Sequence, residues 1–242
     1  MSQFHDLINS NLIQGKIFFD KSLENLTWLK VGGKASCLYI PKNKEDLAVF
    51  LKHIDSKVKI SVFGRLSNVL IRDGGISGVT ILIPPSFSQL EIHKNNKITL
   101  GSGLLDKNVS QFAYDNDLGG FEFLSGIPGN IGGAIAMNAG CYGSEIKDIA
   151  DEVLILERDG ELKSYNNEEM NFSYRNSIIK TDQIIIEATF QGRHENKSNI
   201  KEKIDAVISS KEESQPSKVA TGGSTFKNPK EAKAWELIIL QV

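Results

Sequence analysis

The chain is poor in the residues that build metal centres and disulfide frameworks, with two cysteines, Cys37 and Cys141, and four histidines among its 242 residues. Two cysteines are too few for a disulfide-stapled fold or an all-cysteine metal site, so both are expected as reduced, buried thiols. His5, His53, His93 and His194 show neither HxxxH nor HxH spacing, which gives a histidine metal centre no support and predicts no metal. Charge of one sign is also missing. Twenty-eight Lys and Arg against 30 Asp and Glu leave a formal net charge of -2. No basic block supplies the clustered cationic face that a phosphate-driven grip on nucleic acid needs. No apolar run approaches membrane-spanning length, and the start MSQFHDLINSNLIQGK lacks the charged region and apolar stretch of a signal peptide. A soluble, cytoplasmic monomer is expected, with no nucleic-acid or membrane partner.

What is present in excess is glycine, in one place. The segment Gly126 to Gly143, GIPGNIGGAIAMNAGCYG, carries six of the chain's 21 glycines and almost no charge. Glycine serves where backbone takes positive φ or approaches another group closely. Pro128 fixes the chain before Gly129, and Asn130 is expected to cap a short helix through Ile131, Ala134 and Met137 whose start attracts phosphate. Gly132, Gly133, Ala134, Ala136, Ala139 and Gly140 leave one flank nearly bare of side chains, so a close-packed interior needs something large beside it. A nucleotide cofactor is the functional reading, and small residues packed against a sheet are the structural alternative.

Hydrophobic periodicity orders the remaining elements. Residues 1 to 16 read as an amphipathic entry helix through Phe4, Leu7, Ile8 and Leu12. Ala35 to Ile40 reads as a strand, followed by a helix capped by Asn43 with Leu47, Phe50, Leu51 and Ile54 on its inner face. Lys59 to Phe63, Asn68 to Arg72 and Val79 to Ile83 read as strands, and Leu90 to His93 and Lys97 to Leu100 as a pair around an Asn-Asn turn. Asp106 is expected to cap a helix presenting Val109, Phe112 and Ala113. Val153 to Glu157 and Glu161 to Tyr165 flank Asp159-Gly160 as a hairpin, and Ile184 to Phe190 is a further strand. From Asn196 to Gln215 a charged helix with Ile200, Ile204, Val207 and Ile208 on one face marks a domain boundary.

Three further segments carry candidate chemistry. Gly64-Arg65-Leu66-Ser67-Asn68 follows a strand and resembles a phosphate nest, or else a simple turn. Neither it nor the glycine segment reads G-x-G-x-x-G between strand and helix, so a Rossmann fingerprint is excluded. Arg175, in NFSYRNSII, is a lone cation in a largely apolar stretch. Its planar fork suits an anionic ligand, or a structural ion pair with Glu168, Glu169 or Glu187, while Tyr174 reads as core edge. Ser224, after Gly222-Gly223, stands in no nucleophile elbow and near no activating histidine, which disfavours a hydrolase. A serine proton donor assisted by Lys227, or a turn before a helix, remains.

Taken in order, LKVGGKA near Leu29, GRLSNVLIRDGG at Gly64, SGIPGNIGGAIAMNAGCYG at Ser125, FSYRNS at Phe172 and GGSTFKNP at Gly222 resemble the UDP-N-acetylenolpyruvoylglucosamine reductase (MurB) family, over about Asn25 to Trp235. The resemblance implies an α+β chain. An entry segment (1–26) precedes a two-subdomain FAD-binding domain of the vanillyl-alcohol-oxidase (PCMH) type (27–192) and an incomplete substrate-binding domain (198–242). It implies non-covalent FAD, NADPH as co-substrate, and hydride transfer to the enolpyruvyl double bond of a UDP sugar, giving UDP-N-acetylmuramate for peptidoglycan. It implies FAD contacts at Gly64, Arg65, Leu66, Ser67, Asn68, Ser125, Gly126, Ile127, Pro128, Gly129, Gly132 and Gly133. Arg175 and Ser224 match the catalytic arginine and proton donor, and Tyr174, Lys227 and Asn228 fall on the substrate side. Two departures stand out. Leu66 occupies a position that is usually glycine, so a looser phosphate cradle is expected. The family's C-terminal tail with its catalytic glutamate has no counterpart, so a truncated chain with retained FAD and impaired turnover is expected. A flavoprotein oxidase of the same fold and a non-catalytic flavin-binding remnant are the alternatives.

Overall fold

In a computed structural model of the chain, the residues described are 7, 11–214, 226–229, 232 and 234–239. The first half builds a small sheet. Strand β1 (Lys16–Ser22) is followed by β2 (Lys34–Ile40), helix α1 (Lys44–His53), β3 (Ile60–Phe63) and β4 (Ile76–Leu82). Their order in space is β1-β2-β4-β3, with β4 parallel to both β2 and β3, and β1 antiparallel at the edge. The connection from β2 through α1 to β3 is the crossover that a parallel arrangement requires. Asn43 caps α1, its Oδ1 accepting from the Asp46 amide at 2.9 Å, and turns Leu47, Phe50 and Leu51 inward. The buried Asp46 carboxylate accepts from the Tyr39 hydroxyl at 2.7 Å, the Lys42 amide at 2.8 Å and the Gln14 amide at 2.6 Å. One charge thereby fixes the end of β2, the following loop and the chain that enters β1.

The second half is an antiparallel sheet with helices on one face. It contains β5 (Leu90–Ile92), β6 (Lys97–Gly101), α2 (Asp106–Asp115), β7 (Leu118–Gly119), α3 (Ile131–Ala136), β8 (Gly140–Cys141) and β9 (Ser144–Glu145). Next come β10 (Ala150–Leu156), β11 (Leu162–Asn166), β12 (Ile184–Gln191), β13 (Arg193–His194), α4 (Lys197–Ser214) and α5 (Ala234–Ile239). The five-stranded order is β11-β10-β12-β6-β5, and β7–β13 and β8–β9 form separate pairs. Val109 and Ala113 of α2 and Ile131, Ala134 and Ile135 of α3 pack on Ile98, Leu100, Val153, Ala188 and Phe190. A second core joins the sheets, because Leu156, Ile184 and Ile186 of the larger one are buried with Tyr39, Phe50, Val79 and Ile81 of the smaller.

Several expectations change. Asn68 to Arg72 is an irregular loop, with Leu70 exposed and Ile71 turned inward, and it joins no sheet. The strand β1 lies within residues read as entry segment, while Phe4 and Ile8 of the expected entry helix fall outside the described residues. Leu105, not Asp106, is the residue before α2. It pairs with Asn130 in an isolated bridge, so the helix starts one position earlier than expected, at Asp106 itself, whose side chain is turned inward. Asn130 does precede α3, but its side chain makes no cap bond; its Nδ2 donates to the Gly103 carbonyl instead. Cys37 is buried as expected, whereas Cys141 is half-buried, and burial pushes both thiols up to about 11.

Candidate functional site

Two loops meet where the sheets adjoin. The first, Gly64 to Asn68, leaves the end of β3. At Leu66 the backbone takes φ 53°, the left-handed region that glycine enters freely. The Leu66 side chain is buried with Leu23, Ala35, Leu38 and Ile71. Burying a leucine contributes about 1.5–3 kcal/mol, which offsets the roughly 1–2 kcal/mol of left-handed strain. A core contact thus holds the path that a glycine would take without help. Ser67 Oγ donates to the Pro128 carbonyl at 2.8 Å, tying this loop to the second.

The second loop, Ser125 to Gly133, is pinned along its length. Ser125 Oγ donates to the Glu122 carbonyl at 2.7 Å, and Lys211 Nζ of α4 donates to the Gly126 carbonyl at 2.9 Å. The Asp106 amide donates to the Gly129 carbonyl at 3.2 Å. The Ile131 and Gly132 amides at the start of α3 donate to the carbonyls of Leu104 and Ser102, each at 2.9 Å. These two N–H groups are therefore spent within the protein, and the expected helix-start phosphate site is reduced to the loops around it. A Cβ on Gly132 would lie 2.9 Å from Ser102 Cβ, so this glycine answers to packing. Gly133 differs, with nothing within 4 Å of where its Cβ would stand.

Between β3 and β12 lies a largely apolar cavity of about 330 Å³, lined among others by Phe63, Gly64, Ser102, Gly133, Ile179 and Ile185. Ser102 lines this cavity, and its Oγ is buried without a hydrogen-bonding partner, as are Asn130 Oδ1 and both Asp106 carboxyl oxygens nearby in the second loop and α2. Gly64, also in the cavity lining, abuts Asn130, since a Cβ there would come 2.6 Å from Asn130 Oδ1. Apolar walls, a glycine-lined mouth and unpaired polar atoms together fit a flat ring with a phosphate-bearing tail. A larger open groove of about 700 Å³ between α1 and the β10–β11 hairpin holds none of the motif residues.

Arg175 sits at the tip of a tight turn. Ser173 and Asn176 exchange both backbone hydrogen bonds at 3.0 Å, and Arg175 between them takes φ 52°. Backbone held in this region is stored strain of the kind found at functional positions. Ser177 Oγ donates to the Ala136 carbonyl at 2.9 Å, and Asn138 Nδ2 to the Ser173 carbonyl at 3.2 Å, so the turn hangs from the end of α3. Its other side meets the C-terminal motif. Arg175 Nη1 donates to the Phe226 carbonyl at 3.4 Å, and the Asn228 amide donates to the Tyr174 hydroxyl at 3.3 Å. The Arg175 guanidinium lies 5.8 Å from the centre of the Tyr174 ring, which is exposed rather than core edge. Lys227 and Asn228 are exposed beside this turn, and Ser224 lies outside the described residues.

The structure thus gathers the Gly64 and Gly129 loops into one site and joins Tyr174 and Arg175 to Phe226–Asn228. Sequence reasoning missed Ser102, Asp106 and Asn130 as unpaired floor atoms, and Ser177 and Asn138 as supports. The run Gly101-Ser102-Gly103 at a strand end was the one available signal for the floor.

Residues 35–166 match the family described as FAD binding domain. UDP-N-acetylenolpyruvoylglucosamine reductase from Rickettsia bellii (strain RML369-C) is 41% identical over 231 residues, covering 96% of this chain and 76% of that protein. The protein of the same name from Rickettsia akari (strain Hartford) is 43% identical over 226 residues, covering 93% and 76%. Among solved structures, UDP-N-acetylenolpyruvylglucosamine reductase (MurB) from Thermus caldophilus superposes with a TM-score of 0.80 at 28% identity, covering 95% of this chain and 80% of that one. Cholesterol oxidase from Brevibacterium sterolicum superposes with a TM-score of 0.56 at 15% identity, over 75% of this chain and 38% of that one, a likeness of fold alone.

Proposed function

Because this chain belongs to the UDP-N-acetylenolpyruvoylglucosamine reductase family, we propose that it is an FAD-dependent oxidoreductase that reduces UDP-N-acetylenolpyruvoylglucosamine to UDP-N-acetylmuramate with NADPH. FAD held by the Gly64–Asn68 and Ser125–Gly133 loops would supply the hydride-transfer chemistry between NADPH and the enolpyruvyl double bond. The protein's part is binding, orientation and charge. The flavin-binding part is assigned to 27–192, and 198–242 to the substrate. In this reading the Gly64–Asn68 loop and the Ser125–Gly133 loop hold the phosphate-bearing tail, with the ring in the apolar cavity beside Gly133.

The observation that carries the catalytic assignment is the contact between the Arg175 guanidinium and the Phe226 carbonyl. Phe226 is two residues from Ser224 in sequence, which supports assigning the cation and the candidate donor to one site. Arg175 orients the substrate carboxylate and stabilises the negative charge that develops beside it, more strongly in the transition state than in the substrate. Ser224 Oγ holds the proton destined for the carbon next to that carboxylate. Tyr174, Lys227 and Asn228 position the substrate. Among the described residues no helix is long and apolar enough to cross a membrane, and a cytoplasmic monomer using soluble nucleotides is the assignment that fits.

The test is steady-state turnover of the purified chain with FAD. NADPH oxidation that depends on added UDP-N-acetylenolpyruvoylglucosamine, without matching oxygen consumption, is the expected result. Oxygen consumption driven by an alcohol, with no response to the UDP sugar, would sink the assignment in favour of an oxidase.

A further inference from the structure

Asp106 is the oddest residue at this site. It is the first residue of α2, its side chain is 1% exposed, and neither carboxyl oxygen has a hydrogen-bonding partner. It sits directly against the second loop: its amide is bonded to the Gly129 carbonyl, and its Oδ2 lies 3.1 Å from where a Gly129 Cβ would stand. Ser67 Oγ, from the facing loop, lies 3.5 Å from that same point. A buried, unpaired carboxylate is among the most costly groups to hold ionised, and here it would also place negative charge beneath a phosphate cradle.

We propose that Asp106 is held as a neutral carboxylic acid in the floor of the Gly129 loop, a positioning residue that lets a doubly charged pyrophosphate sit above it; the proposal rests on the FAD reading. No charged side chain is set against the residue; Lys211 of α4, the cation on the helix packed against α2 and this loop, is bonded to the Gly126 carbonyl. The Gly129 loop contributes no titratable group, and neither does the strand end from Ser102 to Leu105. On the first loop the cation is Arg65, which is exposed, as is Lys107 beside Asp106 on α2. Burial, with no charged neighbour, raises the Asp106 carboxyl well above its ordinary value of 3.8. An ionised group in this position would weaken a nearby phosphate by about tenfold or more.

The test compares wild type with Asp106→Asn, which keeps the shape and removes the possibility of charge. Infrared difference spectra of the flavin-free proteins should show a protonated-carboxyl stretch in wild type that the variant lacks, and FAD titrations should agree within about twofold. The carboxyl band is read without flavin. A wild type that bound no FAD would therefore refute the cofactor reading, while the band still decided the protonation of Asp106. Should the variant fail to fold, carbon-13-labelled aspartate in wild type assigns the band directly. Absence of the band overturns the proposal. So does tighter FAD binding by the variant, which would mean that wild type carries the charge, or binding weakened tenfold, which would mean that the carboxylate itself is needed.

Discussion

The glycine loop and the Tyr174–Arg175 turn adjoin opposite ends of α3, yet they are built by different means. The loop from Ser125 to Gly133 is wedged between α2, α4 and the first loop, with five of its backbone groups tied to neighbouring segments. The turn hangs on Ser177 and Asn138 and faces solvent at its tip, where Tyr174 is 52% exposed. On the proposed assignment, cofactor binding is rooted in the core, and the candidate catalytic cation, Arg175, is presented from a strained surface turn. The two should fail separately: damage to the turn removes chemistry and leaves the flavin, whereas damage to the loop removes both.

The strongest way to separate them is Arg175→Ala. It should lower kcat by roughly 10²–10³, the loss typical of removing one preorganised group that stabilises developing charge, while FAD affinity changes by less than about twofold. Loss of flavin together with activity would show that the turn belongs to the cradle. Gly132→Val tests the other side. Its first added carbon would meet Ser102 Cβ at 2.9 Å and the Ser102 carbonyl at 3.2 Å, so a cost of about 1–3 kcal/mol is expected. That loss should appear as a melting midpoint several degrees lower, with weaker FAD binding. An unchanged midpoint would mean that Ser102 yields freely.

Leu66→Gly sets strain against burial. Losing a buried leucine costs about 2–5 kcal/mol and relieving left-handed backbone returns about 1–2, so the net is a loss of up to about 4 kcal/mol, centred near 2, in denaturant titration. A stabilised variant would show that strain dominates at this position. The smallest effect belongs to Ser177→Ala, which removes one bond from turn to helix. It should cost about 1 kcal/mol of stability, with kcat reduced more than FAD affinity. Equal reductions in both would blur the division between loop and turn.

Local patterns made most of the fold legible. The spacing of Leu47, Phe50 and Leu51 behind Asn43 specified α1, and Asp159-Gly160 specified the β10–β11 hairpin, with Gly160 at φ 79°. Errors arose where a tertiary partner overruled a local cue. Asn68 to Arg72 has strand-forming residues but no neighbouring strand to pair with, and Asp106 lost its capping role when Leu105 paired with Asn130. The support for the Leu66 backbone was not legible, because the core cluster that buries its side chain is assembled from Leu23, Ala35 and Leu38, far away in sequence. Of the site, the glycine loops and Arg175 announced themselves by composition. Ser102, Asn138 and Ser177 are ordinary polar residues whose roles arise only from what the fold sets beside them.

The most direct measurement of the whole account is an anaerobic absorbance titration of the flavin-loaded protein. The account predicts that NADPH bleaches the bound flavin and that UDP-N-acetylenolpyruvoylglucosamine then restores the oxidised spectrum with release of UDP-N-acetylmuramate. A flavin that NADPH reduces but only oxygen restores would contradict it.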